Sequence, residues 1–140
     1  MVKVRHIGIV VLDMKACVQF YCRFGFLVAK AAVESGEFTD TTFALLGTKV
    51  TTVKLTKNGC MIELLSFEFP PYAIPKRREL FDIGISHIAL TVDDIDSEYK
   101  RLTTTGIHFR SEPTTSPDGK VKAAFCRDPE GNTLELVQEL

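Results

Sequence analysis

Two histidines and two glutamates stand at corresponding places in a chain that repeats itself. His6 opens the run His6-Ile7-Gly8-Ile9-Val10-Val11-Leu12-Asp13, and His87 opens His87-Ile88-Ala89-Leu90-Thr91-Val92-Asp93-Asp94. The offset of 81 residues between these histidines also carries Gly25 onto Gly106. Glu63 lies in Gly59-Cys60-Met61-Ile62-Glu63-Leu64-Leu65, and Glu135 in Gly131-Asn132-Thr133-Leu134-Glu135-Leu136-Val137, at an offset of 72 residues. Two imidazoles and two carboxylates make a mixed nitrogen and oxygen donor set. Such a set suits nickel, zinc, cobalt, manganese or iron better than magnesium or calcium, and leaves coordination positions for water or substrate. A carboxylate in the middle of an apolar strand costs several kcal/mol to bury if it stays ionised and unpaired, so each glutamate needs a compensating partner.

The elements that must position these four residues follow the same repeat. Residues 2–11, rich in β-branched side chains, predict a strand; Asp13 caps a helix reaching about Phe24, and Gly25 ends it. Met14, Cys17, Val18, Tyr21 and Cys22 fall at helical spacing and predict the face that packs on the strand. Short strands are expected at residues 26–33, 41–46, 51–55 and 60–67, with Asn58-Gly59 as a hairpin turn. Residues 69–82, with Pro70, Pro71, Pro75 and the basic run Lys76-Arg77-Arg78, read as a solvated linker. The pattern then restarts: a strand over 84–92, a helix capped by Asp93 or Asp94 and ended near Gly106, and strands near 107–110, 121–126 and 133–138. Strict alternation puts His6 on a strand face with Gly8 and Val10, opposite Ile7, Ile9 and Val11; His87 shares its face with Ala89 and Thr91. The histidines therefore occupy the face lined by small residues, away from the helix.

Composition narrows the function classes. At 140 residues, 45% hydrophobic and with a net charge of −1, the chain can bury a core without disulfides and carries no electrostatic footprint for nucleic acid. The apolar run 7–12 falls far short of the roughly 20 residues that span a bilayer. Cys17, Cys22, Cys60 and Cys126 show no CxxC pair or zinc-finger spacing and no leader precedes them, so they are expected as free thiols in a reducing cytoplasm. A small-molecule ligand is the default partner. His108 has no counterpart in the repeat and reads as a partly exposed strand residue. Residues 111–122 read as a hairpin loop able to act as a lid, and Phe20, Phe24, Phe43, Phe67 and Phe125 as core.

With VVLDMKACVQFYCRFGF near its start and FCRDPEGNTLELVQ at its end, the chain resembles the glyoxalase, bleomycin-resistance and dioxygenase group, the vicinal oxygen chelate superfamily, over essentially its whole length. The resemblance implies an α+β fold of two βαβββ modules whose curved, mostly antiparallel sheet surrounds a central cavity. One glyoxalase-like domain is expected over 1–140, with module one at 1–68, a linker at 69–83 and module two at 84–140. It places His6, Glu63, His87 and Glu135 on the metal-ligand positions of one divalent ion, with Glu135 or Glu63 as catalytic base and Glu135 preferred.

The His, Glu, His, Glu set is similar to that of glyoxalase I, which implies a lyase or isomerase moving a proton next to a metal-bound carbonyl. Val10 stands where glyoxalase I carries an arginine for glutathione, and Ser66 and Phe67 where it tends to carry an asparagine, so a small carbonyl or thioester is the expected substrate rather than glutathione specifically. Related alternatives are a methylmalonyl-CoA-epimerase-like enzyme, an extradiol-type dioxygenase or an antibiotic-binding protein. The resemblance further implies a homodimer.

Overall fold

The computed structural model describes residues 1–73 and 78–140. Its chain divides into two compact units, Met1–Ile74 and Pro75–Leu140. The first holds β1 (Ile7–Val10), α1 (Met14–Arg23), β2 (Leu27–Ser35), α2 (Glu37–Phe43), β3 (Lys49–Lys57) and β4 (Cys60–Phe69). The second holds β5 (Ile88–Thr91), α3 (Ile95–Thr104), β6 (Thr114–Thr115), β7 (Val121–Arg127) and β8 (Thr133–Glu139). The fold is α+β with two open four-stranded sheets, one per unit, ordered β1-β4-β3-β2 and β5-β8-β7-β6.

The repeat extends to strand register. In the first sheet β1 runs parallel to β4 with Ile7 opposite Ile62 and Gly8 opposite Glu63. In the second, β5 runs parallel to β8 with Ile88 opposite Leu134 and Ala89 opposite Glu135. The remaining strand pairs are antiparallel. Asn58 and Gly59 both adopt positive φ, 47° and 80°, which is the two-residue turn that matches strand twist and joins β3 to β4.

One face of each sheet is closed by its helix. Ile9, Val11, Val53, Leu55, Ile62 and Leu64 are buried in the first unit together with Cys17, Phe20, Tyr21 and Phe24. The buried stripe of α1 thus runs 17, 20, 21, 24, at the i, i+3, i+4, i+7 spacing of a helix face. Cys22, expected on that stripe, is exposed, and Phe20 takes its place. The second unit buries Ile95, Leu102, Ile107, Leu134 and Leu136. Asp13 and Asp94 cap their helices, their carboxylates accepting from the Ala16 and Ser97 amides.

Further expectations are corrected. Residues 41–46 are not a strand: Glu37–Phe43 is helical, with Glu37 and Asp40 in its first turn, and the Asp40 carboxylate accepts from the amides of Gly47 and Thr48 beyond it. Residues 107–110 supply only an isolated bridge, Phe109 to Cys126, and His108 is exposed outside any strand. Phe43 is not core but exposed, its ring centroid 6.1 Å from that of Phe67. The four cysteines are thiols, none joined in a disulfide among the described residues. No described helix is long and apolar enough to cross a membrane.

Candidate metal-binding pairs

In the first unit, His6 immediately precedes β1 and Glu63 lies at the centre of β4, flanked by Ile62 and Leu64, both fully buried on the opposite face. Gly8 is the Cα partner of Glu63 and has no side chain, and a Cβ there would lie 3.4 Å from Leu65 Cδ1, so Leu65 lines this space beside His6 and the carboxylate. His6 Nε2 lies 3.0 Å from Glu63 Oε2. Glu63 is only 8% exposed, so its charge requires compensation. Besides His6, Lys54 supplies it: Lys54 Nζ is 3.2 Å from Glu63 Oε1, and the two residues are Cα partners across β3 and β4. Both carboxylate oxygens of Glu63 are therefore engaged.

The second unit repeats the pair with different surroundings. His87 immediately precedes β5, and its Nε2 lies 3.2 Å from Glu135 Oε2. The other ring nitrogen, Nδ1, is 3.2 Å from Ser86 Oγ, a contact that sets the ring's orientation and leaves Nε2 turned to the carboxylate. Where the first unit has Lys54, the second has Phe125, Cα partner of Glu135, whose ring meets that of His87 edge to face at 5.4 Å and 88°. Glu135 Oε1 has no hydrogen-bond or ion-pair partner among the described residues.

The four expected site residues thus stand as two pairs, one in each unit. Among the described residues no three His, Cys, Asp or Glu side chains gather as a metal-holding group. The spacing within each pair suits a shared cation: a metal about 2.0–2.2 Å from an imidazole nitrogen and a carboxylate oxygen holds them about 3 Å apart when they are neighbouring ligands. Lys54 was not foreseen, and Phe125, expected in the core, is half-buried beside His87. Counting back three residues on each side of the Asn58-Gly59 turn, from Lys57 and Cys60, puts Lys54 opposite Glu63, so the sequence did contain that signal.

The other candidates contribute no group to either pair. Lys76 and Arg77 of the basic run lie outside the described residues. Arg78 and Glu79 meet Arg127, whose guanidinium donates to the Arg78 carbonyl at 3.3 Å and to the Glu79 carboxylate at 2.9 Å. Residues 111–122 form the expected hairpin, with β6 on β7 and a turn in which Asp118 accepts from the Ser116 hydroxyl at 2.6 Å. That hydroxyl, followed by the Lys120 amide, holds the Asp118 carboxyl below its ordinary value.

Comparison with known proteins agrees with this architecture. A family model described as the Glyoxalase/Bleomycin resistance protein/Dioxygenase superfamily matches residues 3–136. The chain is 32% identical to the Escherichia coli (strain K12) protein "Uncharacterized protein YaeR", covering 98% of this chain and 96% of that one. It is 30% identical to a "Probable lactoylglutathione lyase" of Synechocystis, covering 95% and 92%. The crystal structure of a glyoxalase family protein from Bacillus cereus superposes with a TM-score of 0.90 over 100% of this chain and 95% of that chain, at 24% identity.

Proposed function

The chain belongs to the Glyoxalase/Bleomycin resistance protein/Dioxygenase superfamily, and from that premise we propose that it is a divalent-metal-dependent lyase or isomerase of the glyoxalase type. The observation that carries this reading is the duplicated His–Glu pair, 3.0 Å apart in one unit and 3.2 Å in the other, at equivalent strand registers. The pairs His6–Glu63 and His87–Glu135 would each supply an imidazole and a carboxylate as ligands to a divalent ion of nickel, zinc, cobalt, manganese or iron. When bound, that ion supplies Lewis-acid polarisation of a substrate carbonyl, which acidifies the neighbouring carbon-bound proton.

The residues divide the remaining work. His6 and His87 present Nε2, with Ser86 orienting the second ring. Glu63, whose two oxygens already have His6 and Lys54 as partners, serves as a ligand rather than as the base. Glu135 Oε1, without a partner among the described residues, takes the proton from the substrate carbon before returning it to the adjacent carbon. The half-buried ring of Phe125 keeps the surroundings of that carboxylate apolar. The named relative, a probable lactoylglutathione lyase, favours this proton transfer over oxygen activation or passive ligand binding. Val10, half-exposed on the His6 face, provides no cation for a glutathione carboxylate, so the substrate is a small carbonyl or thioester. We further propose that the protein works as a homodimer in the cytoplasm.

The test is proton exchange in deuterated water, followed by NMR, with metal-loaded protein and a panel of hemithioacetals and acyl-CoA thioesters. The wild type is expected to exchange the proton next to the carbonyl of one class, and Glu135→Gln to lose about 100-fold or more of that rate. Failure of the loaded wild type to exchange any of them contradicts the proposal.

A further inference from the structure

We infer that Lys54 is a specificity-determining residue that binds an anionic group carried by the substrate beside its metal-chelating oxygens. The inference rests on the metal-site reading above and adds to it the chemical class of the substrate. Across the first sheet, one row of Cα partners runs Gly8, Glu63, Lys54, Lys30 from β1 to β2. Two lysines that face each other on neighbouring strands repel, and Glu63 is the one carboxylate in the row. Lys54 Nζ sits one ion pair from that carboxylate, at 3.2 Å, with its side chain 26% exposed.

A divalent cation drawn to Glu63 changes this balance. Bound there, such an ion would take over the negative charge that Lys54 neutralises and would leave an ammonium group in a locally positive row, with a strand neighbour, Lys30, of the same sign. A compact anion placed at Nζ would offset this charge, and the partial burial of the Lys54 side chain would strengthen the contact relative to one in open water. The second unit shows that the position is not simply a structural requirement of the repeat. Phe125 fills the equivalent place beside Glu135, and no cation is paired to that carboxylate among the described residues. The two halves of the repeat therefore differ at this position: a cation beside one glutamate, an aromatic ring beside the other.

The experiment uses the full chain loaded with Mn²⁺, whose effect on water proton relaxation reports both metal binding and displacement of metal-bound water. Two probes share a hydroxycarboxylate chelating unit: glycolate carries no other charge, whereas tartronate carries a second carboxylate. Lys54→Met keeps the aliphatic stem without the charge and is expected to weaken tartronate about tenfold or more, with glycolate changed by no more than about threefold. Mn²⁺ affinity is expected to hold or rise, since a repelling cation is removed. Lys54→Arg should bind tartronate within about threefold of wild type. Lys30→Met, which changes net charge equally one strand away, should shift either probe by no more than about twofold.

A Lys54→Met protein that loses both probes alike, or that loses Mn²⁺, would show that Lys54 only holds Glu63 in place and would overturn the assignment while leaving the metal site standing. Wild-type protein that holds no Mn²⁺ overturns the metal reading itself, and this assignment with it.

Discussion

His87 Nε2 lies 3.2 Å from Glu135 Oε2 across the first and last strands of the second unit, repeating the 3.0 Å contact of His6 and Glu63 in the first. The likeness comes from register: shifting either parallel pair by one residue would turn its glutamate to the helix side, into the apolar core. Burial of the intervening residues holds that register, so the site's geometry depends on the cores behind it.

Leu64 and Leu136 follow the two glutamates, face the helices and are fully buried. Replacing either by alanine removes buried methyl groups and leaves a cavity, at a cost of about 2–5 kcal/mol. Urea unfolding should place Leu64→Ala and Leu136→Ala in this same range. A cost under about 1 kcal/mol at either would mean that the strand is not fixed by that core.

Asp128 secures the turn that leads into β8. Its carboxylate accepts from the Glu130 and Asn132 amides at 3.0 and 2.8 Å and from the Asn132 side chain at 2.9 Å, and the residue is only 5% exposed. Asp128→Ala leaves these donors without their acceptor and is expected to cost about 2–4 kcal/mol, read as a lowered Tm, with Asp128→Asn retaining part of the stability. An unchanged Tm would remove the turn from the account of how Glu135 is placed.

Burial, with the Asp128 charge as a lesser contribution, pushes the Cys126 thiol up from its ordinary value of 9.0 to about 12. A raised acid keeps its proton in the folded state while the unfolded chain loses it. Its contribution to stability is thus intact below pH 9 and falls as pH climbs from 9.0 toward about 12. Denaturation curves across this interval should show a decline that Cys126→Ala reduces. At neutral pH a thiol reagent should modify exposed Cys22 readily and leave Cys126 unmodified until the protein unfolds.

Much of this organisation was legible in the sequence because it was written twice. The His6 and His87 runs, the Asn58-Gly59 turn and the helix-ending Gly25 and Gly106, both at positive φ, all carry local signals that tertiary structure does not override. Helix α2 was not legible: Thr41, Thr42 and Phe43 favour a strand locally, and the helix is secured from outside by the Asp40 contacts with Gly47 and Thr48. The buried stripe of α1 was shifted because Cys22 and Phe20 are both apolar, and only packing distinguishes them. Lys54 was overlooked for a related reason. A lone lysine on a strand is usually solvated, and its role appears only when the hairpin is paired residue by residue.

We propose above all that His6 with Glu63 and His87 with Glu135 serve as ligands to a divalent ion. Elemental analysis of the full chain, purified without a metal column, tests it most directly, alongside reloading of chelator-stripped protein with zinc, nickel, cobalt, manganese and iron. About one bound ion per chain is expected for at least one of these metals, with affinity lowered about tenfold or more by each of His6→Ala, Glu63→Gln, His87→Ala and Glu135→Gln. A wild-type protein that retains none of the five metals, or four variants that bind as tightly as the wild type, would contradict it.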